Sequence, residues 1–208
     1  MIAAAVLTAA VLGAQPLDAR LMRWPTIKGN TVVFTYAGDL WTCELDGGMA
    51  RRLTSFPGLE SRARFSPDGK TIAFTGQIDG ASELYTIPAE GGEPKRLTFD
   101  PGGDNMIAWT PDGKIAYGNG VLNTFTQRLF TISPEGGQST PTKLGEITDG
   151  SFSPDGSTIA FTRAASHNFN WRRYRGGTQG RIGFFNFATS KYEEIPAARE
   201  QNYHPMWV

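Results

Sequence analysis

The stretch that decides the fold is residues 65–74, FSPDGKTIAF, because it occurs again at residues 152–161 as FSPDGSTIAF. A copy one residue shorter, WTPDGKIAY, lies between them at residues 109–117. The aromatic residues that open the three copies are separated by 44 and then 43 residues. A degenerate first copy begins at Trp24, and a last copy begins at Pro205. The chain is therefore built from tandem repeats of one supersecondary unit.

The Pro-Asp-Gly step inside each copy predicts a tight turn. Proline presets φ for the second turn position, aspartate tolerates the crowded third, and glycine takes the positive φ that strains other residues. Each copy is therefore predicted to be a hairpin. Because Asp68, Asp112 and Asp155 all occupy this turn position, we interpret them as structural residues and not as carboxylates for acid or base catalysis.

A second element recurs in step with the first. It consists of a leucine, an aromatic residue and a threonine, followed by a turn of one acidic residue and two glycines. Each unit is therefore predicted to run strand, turn, strand, loop, strand, turn, strand. The three copies of the leucine element lie at residues 40–42, 84–86 and 129–131, and their turns lie at residues 46–48, 90–92 and 135–137.

Four short antiparallel strands in a unit of this length are the signature of a β-propeller blade. The predicted fold class is all-β, with about four four-stranded blades of an incomplete ring. Since the sequence stops inside an apolar strand, we expect a ring that is cut before it closes. The predicted blades occupy residues 31–58, 60–102, 105–144 and 148–196, and a further blade starts at residues 203–208.

Composition excludes several classes of function. The chain has 20 Lys plus Arg and 20 Asp plus Glu, so no global field attracts nucleic acid or an anionic membrane. Cys43 is the single cysteine, which excludes an intramolecular disulfide and a thiolate cluster for a metal. Its apolar neighbours predict a buried strand thiol. We expect no cofactor and no metal.

The N-terminal segment has the composition of a secretory signal. Residues 1–14, MIAAAVLTAAVLGA, are almost wholly apolar and small, and they are too few to span a bilayer. Residues 1–19 are therefore predicted to be a signal-like segment, and the protein to be exported to the periplasm or the extracellular space without stable membrane insertion. The alternative is a buried N-terminal helix.

The repeats resemble the propeller repeats of TolB and of tricorn-type proteins. The motifs that carry the resemblance to the N-terminal six-bladed propeller of bacterial tricorn-like proteases are GDLWT, FSPDG, GGEPKRLT and WRRYRGG, at residues 38–42, 65–69, 91–98 and 171–177. The resemblance covers residues 16–208. The first three motifs recur in many propellers, whereas the WRRYRGG run is the discriminating one.

The resemblance implies a large serine peptidase that trims oligopeptides. In that family two propellers precede a PDZ domain and the catalytic domains, the full-length protein is a homo-oligomer, and the N-terminal propeller is a channel or gate. The expected partners are peptides and downstream domains of the same polypeptide. The family's catalytic residues lie beyond Val208, so this chain is expected to contain no catalytic residue of its own.

Two departures from the repeat predict weaker packing. Gly183 stands where the earlier blades place an aromatic residue, although Phe184 and Phe185 beside it offer a replacement. In the third blade, residues 118–120 read Gly-Asn-Gly.

The loop between the second and third strands is the candidate functional site. It grows from 5 to 9, 11 and 20 residues along the four blades, and long loops on a rigid scaffold often carry function. Guanidinium groups pair with carboxylates and stack on aromatic rings. The 20-residue loop of the fourth blade is an insertion, and we hypothesise that it contacts peptide termini, acidic groups or a neighbouring domain. The alternative is that its arginines bind the loop to the propeller. The candidate residues are Trp171, Arg172, Arg173, Tyr174, Arg175 and Arg181.

Other sequence features give no site. His167 and His204 have no spaced partner for a metal, and the chain contains no Gly-x-Ser-x-Gly elbow. Two other parents remain open: a TolB-like periplasmic propeller that binds proteins, and a prolyl-oligopeptidase-like hydrolase. TolB places an α/β domain before its propeller, which counts against the first. The coding sequence beyond Val208 distinguishes the three.

Overall fold

The computed structural model describes residues 21–120, 127–163, 179–196 and 202–207. Within these residues all regular structure is β, in sixteen strands. The first eight are β1 Arg23–Lys28, β2 Thr31–Tyr36, β3 Asp39–Glu44, β4 Arg51–Arg52, β5 Glu60–Phe65, β6 Thr71–Gly76, β7 Glu83–Pro88 and β8 Lys95–Arg96. The second eight are β9 Asp104–Trp109, β10 Ile115–Asn119, β11 Arg128–Ile132, β12 Thr140–Pro141, β13 Asp149–Phe152, β14 Thr158–Thr162, β15 Ile182–Asn186 and β16 Lys191–Glu194.

The strands form four separate four-stranded sheets, in each of which consecutive strands pair antiparallel. The first strands of successive sheets lie side by side, β1 beside β5, β5 beside β9 and β9 beside β13. The predicted blade architecture is confirmed. The first sheet starts at Arg23, beside the degenerate copy found at Trp24 and ahead of the blade bound predicted at residue 31. Its first hairpin turns at Gly29, at φ 57°, without the Pro-Asp-Gly step.

The Pro-Asp-Gly turns have the predicted geometry. Gly69 has φ 75° and Gly156 has φ 72°, the left-handed region that favours glycine. The Oδ1 atom of Asp68 accepts hydrogen bonds from Ser66 Oγ at 2.6 Å and from the backbone N of Lys70 at 3.1 Å. These bonds lower the pKa of the Asp68 carboxyl. The predicted turn role is therefore seen for Asp68, and Asp155 repeats it by accepting from Ser153 Oγ at 2.6 Å and from the backbone N of Ser157 at 3.1 Å.

The apolar core lies between neighbouring blades. At every junction a fully buried leucine from the third strand of one blade packs in a cluster with an aromatic residue from the second strand of the next. Burying a leucine or phenylalanine side chain contributes about 1.5–3 kcal/mol, so the junctions carry much of the stability. The three pairs are Leu40 with Phe74, Leu84 with Tyr117, and Leu129 with Phe161.

The fourth blade replaces its missing aromatic residue from another strand. In the second blade Phe74 stacks on the cross-strand Tyr85 at 5.7 Å, whereas in the fourth Phe161 lies opposite Gly183. The ring of Tyr192, on β16, covers Gly183 and lies 6.0 Å from Phe161. Tyr192 therefore lies over the position of the missing aromatic residue while remaining 41% exposed, and Phe185, one of the two phenylalanines expected to compensate, is buried in the same cluster as Phe161.

The Gly-Asn-Gly segment of the third blade is also packed. Gly118 and Asn119 are the last residues of β10, and both are buried. The Nδ2 of Asn119 donates to Oδ1 of Asp104 at 2.6 Å. Cys43, in contrast, is a free thiol that is only partly buried, so its expected full burial is wrong; it lines an open groove between the first two blades with Met49 and Phe65.

The described part of the chain contains no helix long and apolar enough to cross a membrane.

Candidate functional site

The insertion in the fourth blade falls largely outside the described residues. Trp171, Arg172, Arg173, Tyr174 and Arg175 all lie there, as does His167. Arg181 is described, and its Nη1 binds Oε1 of Glu194 on β16 at 2.8 Å. Its side chain remains 53% exposed. The role of all six residues in contacting peptides or domains stays a prediction.

The two ends of the insertion are joined at the sheet. The backbone N of Arg163 donates to the carbonyl of Arg181 at 3.2 Å, directly beyond the last pair of β14 and β15. Nε of Arg163 binds Oε2 of Glu146 at 3.1 Å, and the hydroxyl of Tyr192 donates to Oε2 of Glu194 at 2.8 Å. The rigid blade therefore fixes the points where the insertion leaves and returns.

The chain after the fourth blade packs against the two ends of the insertion. The backbone N of Asn202 donates to the carbonyl of Gly180 at 3.1 Å. The ring of Tyr203 lies where a Cβ on residue 180 would project, so Gly180 is required by close approach. The end of the insertion at Gly180 is thereby connected to His204, the residue that follows Tyr203.

His204 and Asp149 form a polar pair on the inner side of the fourth blade. Asp149 opens β13 and is buried, and its Oδ1 accepts from the backbone N of Gly150 at 2.9 Å. Its Oδ2 is hydrogen-bonded to Nδ1 of His204. His204 has φ 55°, in the left-handed region that non-glycine residues rarely adopt. The contact thus joins the segment after the fourth blade to β13.

Two arginines on the inner strand of the second blade lie in the field of the same carboxylate. Arg62 and Arg64 flank Ala63, which is fully buried in the first junction. Burial lowers the pKa of both guanidinium groups, and nearby Asp149 opposes the shift. Arg64 Nη1 donates to the carbonyl of Ala63 at 3.0 Å, whereas Arg62 makes no hydrogen bond from its guanidinium within the described residues. We call Arg62, Arg64, Asp149 and His204 the central cluster.

The central cluster carries an excess of positive charge. Asp149 is its one carboxylate, and both of its oxygens already accept hydrogen bonds. A half-buried guanidinium fork is suited to binding a carboxylate in two parallel hydrogen bonds. The guanidinium groups of this cluster can therefore bind an anionic group.

Sequence reasoning did not find this cluster. Arg62 and Arg64 lie in an ordinary repeat copy, and only tertiary structure brings them near Asp149. The signal in the sequence was the positive charge of Arg64 on an inner strand. The first blade has Thr26 and the third has Ala108 at the same position.

Four four-stranded antiparallel sheets, joined along their first strands, define a β-propeller domain. A family model described as the tricorn protease N-terminal beta propeller domain matches residues 19–208, and the chain belongs to this family.

Relatives extend well beyond the matched region. The chain is 30% identical over 200 residues to tricorn protease homolog 1 of Streptomyces coelicolor, covering 93% of this chain and 18% of that protein. It is also 45% identical over 51 residues to a putative tricorn-like protease N-terminal subunit of Sulfurisphaera tokodaii, covering 24% of this chain and 26% of the relative. The chain thus spans less than a third of either relative.

Solved structures show the same fold. The crystal structure of the tricorn protease superposes with a TM-score of 0.77 at 28% identity, over 90% of this chain and 19% of that one. A putative TolB from Agrobacterium tumefaciens gives a TM-score of 0.72 at 22% identity, over 88% of this chain and 64% of that one. At that identity the TolB likeness shows the fold alone.

Proposed function

We propose that this domain is the non-catalytic propeller module of an exported serine peptidase that degrades oligopeptides. The observation that carries the proposal is the family match over residues 19–208, together with a homologous tricorn protease of which the chain covers 18%. In the complete protein the module acts as a channel, gate or interaction scaffold beside catalytic domains of the same polypeptide. Oligomeric assembly of that polypeptide is part of the proposal.

The central cluster supports a contact with peptides. A peptide always carries a terminal carboxylate, and the cluster offers guanidinium groups in a partly desolvated position where a charged hydrogen bond contributes about 1.5–3 kcal/mol. The arginines and aromatic residues of the insertion would add a second contact from the loop face. Both regions are linked through Gly180 and the segment that follows the fourth blade.

The test uses the complete polypeptide and two sets of variants. We expect the triple variant Arg172→Ala, Arg173→Ala, Arg175→Ala and the double variant Arg62→Ala, Arg64→Ala each to lower kcat/KM for oligopeptides by about tenfold, the loss of one charged hydrogen bond. Arg51→Ala, at an exposed position on β4, is the matched control and should leave turnover unchanged. Unchanged turnover and assembly in both sets would remove the peptide-contact role.

The parent activity is tested separately. The complete polypeptide should hydrolyse oligopeptides and lose this activity to a serine-directed inhibitor, whereas the propeller domain alone should hydrolyse nothing. A coding sequence that stops after six blades, with a product that binds proteins and cleaves no peptide, would favour a TolB-like scaffold instead.

Export is tested with a fusion. Residues 1–19 joined to a reporter enzyme that is active only outside the cytoplasm should give activity, and replacing Val6 and Leu7 with Asp should abolish it. A reporter that stays inactive with the native segment would contradict export.

A further inference from the structure

Glu60 is a buried carboxyl group at the junction of the first and second blades. It opens β5 and is 0% exposed. Its Oε2 accepts from Oγ1 of Thr54 at 3.1 Å, and that same hydroxyl oxygen accepts from the backbone N of Leu40 at 2.8 Å. The carbonyl of Glu60 accepts from Oγ1 of Thr35 at 3.0 Å. The side chain and the backbone carbonyl of Glu60 are thus bound by residues of the first blade, although the residue belongs to β5 of the second.

The other carboxyl oxygen of Glu60 has no donor. Oε1 is buried without a hydrogen-bond partner among the described residues, and the polar group that faces Glu60 is the carboxyl of Asp39, which opens β3 and is 6% exposed. Two ionised carboxylates offer only acceptors to each other. A proton on one of them supplies the missing donor.

The surrounding charge favours retention of that proton. The charged groups that face Glu60 from the elements packed against it are Asp39 on β3 and Arg52 on β4. Nη2 of Arg52 binds Oδ2 of Asp39 at 2.7 Å, and the side chain of Arg52 is half exposed. Arg52 is therefore the one cation that faces both Asp39 and Glu60 among the described residues. Burial, with Asp39 adding to it, raises the pKa of Glu60 to about 7, against the opposing hydrogen bond from Thr54.

The junction of the second and third blades provides a comparison within the same chain. Asp104 opens β9 at the position of Glu60 and is also 0% exposed. Its cross-strand partner is Asn119, whose amide donates to Oδ1 of Asp104 at 2.6 Å. The cross-strand partner of Glu60 is Gly76, which has no side chain to donate. The second junction therefore gives one oxygen of its acid an amide donor that the first junction lacks, although Oδ2 of Asp104 is itself buried without a partner among the described residues and burial raises the pKa of Asp104.

We propose that Glu60 and Asp39 share one proton, and that its loss loosens the first blade from the second, which makes this junction a pH-sensitive hinge. Because the folded state holds the proton more tightly than the unfolded chain does, the stabilisation is complete below the ordinary glutamate range and is lost as the pH rises towards 7. In that window the unfolding equilibrium constant rises by up to about tenfold per pH unit through this group.

The first experiment compares denaturant unfolding of the full chain with that of Glu60→Gln from pH 5 to pH 8. Glutamine keeps the acceptor for Thr54 and supplies a permanent donor towards Asp39. We expect the wild type to lose stability relative to the variant by roughly 40-fold in the unfolding constant between pH 5 and pH 7. Glu93→Gln, at an exposed position, should keep the wild-type profile. Parallel profiles for wild type and Glu60→Gln would overturn the proposal.

The second experiment needs no variant. The titration of each glutamate carboxyl carbon is followed by NMR, with hydrogen exchange at the backbone amides of Leu40 and Leu84 measured in parallel. Glu60 should titrate near neutral pH. Above neutral pH the protection of Leu40 should fall relative to that of Leu84, its counterpart at the second junction, where the amide of Asn119 remains a donor to Asp104. Titration of Glu60 in the ordinary range, or equal protection of the two amides throughout, would contradict the hinge.

Discussion

In the second blade the cross-strand ion pair joins Glu83 to Arg96, whereas in the fourth blade the same place holds Arg181 and Glu194 with the charges reversed. The register shows the equivalence, because Arg96 pairs with Tyr85 and Glu194 pairs with Gly183. The position between the third and fourth strands therefore accepts complementary charges in either order, and the third blade, with Arg128 and Pro141 there, has no such pair.

The two pairs differ in their surroundings. The side chain of Glu83 is 4% exposed, whereas both members of the fourth-blade pair are in contact with water, at 53% and 28%. A buried charge that loses its partner is strongly destabilising, whereas an exposed pair contributes little. The same ion pair is thus a structural requirement in one blade and a minor contact in the other.

The largest effect is expected for Arg96→Ala. This change leaves the buried Glu83 without its cation and also removes the contacts of Arg96 with Asp79, at 3.1 Å, and with the ring of Phe99. We expect a loss of about 3 kcal/mol in the free energy of unfolding, measured by denaturant titration. Lys95→Ala, which breaks an exposed pair on the same strand, is the control and should change it little. Equal losses for the two would contradict the burial argument.

The next effect concerns the glycine of the fourth blade. A Cβ on residue 183 would lie 2.5 Å from the ring of Tyr192, so Gly183→Ala should cost about 2 kcal/mol through overpacking. In a Tyr192→Ala background the same change should cost almost nothing, since the ring is gone. A double-mutant cycle of unfolding free energies measures the coupling, and additive effects would show that Tyr192 does not fill the site.

Alanine substitutions at the Pro-Asp-Gly turns should destabilise the second and the fourth blade equally. Gly69 and Gly156 have nearly the same positive φ, 75° and 72°. Gly69→Ala and Gly156→Ala should each cost about 1 kcal/mol, because a side chain in the left-handed region is strained. The melting temperatures of the two variants provide the measurement. A difference of several kcal/mol between them would mean that the repeats do not share one turn.

The smallest effect is expected for Arg181→Ala. With Arg181 exposed and Glu194 in partial contact with water, the loss should be below about 1 kcal/mol. The double reversal Arg181→Glu, Glu194→Arg should restore the wild-type free energy of unfolding, because the second blade uses that order. A double reversal that is less stable than either single change would show that charge order matters at this position.

The turns and the strand order could be predicted because their causes are local. Proline, aspartate and glycine in the Pro-Asp-Gly steps fix their turn by conformational preference alone. The degenerate first copy at Trp24 was found, but the blade bound was set at residue 31, because its hairpin has a different turn, built on Gly29.

The features that escaped prediction depend on residues far apart in sequence. Tyr192 covers Gly183 from the next strand, which comparison of third strands alone does not show. Arg181 was grouped with the loop arginines because it is close to them in sequence, whereas its partner in the sheet lies 13 residues further on. The electrostatic interaction of Arg62, in the second blade, with Asp149, in the fourth, joins residues far apart in sequence, and no local pattern encodes it.

The most direct measurement is a crystal structure of the domain that resolves its backbone hydrogen bonds. We expect the four strands of each repeat to pair only with one another, and the indole Nε1 of Trp109 to donate to the carbonyl of Arg64 across the second junction. Helices across the Pro-Asp-Gly segments, or strands of neighbouring repeats paired in one continuous sheet, would contradict the account.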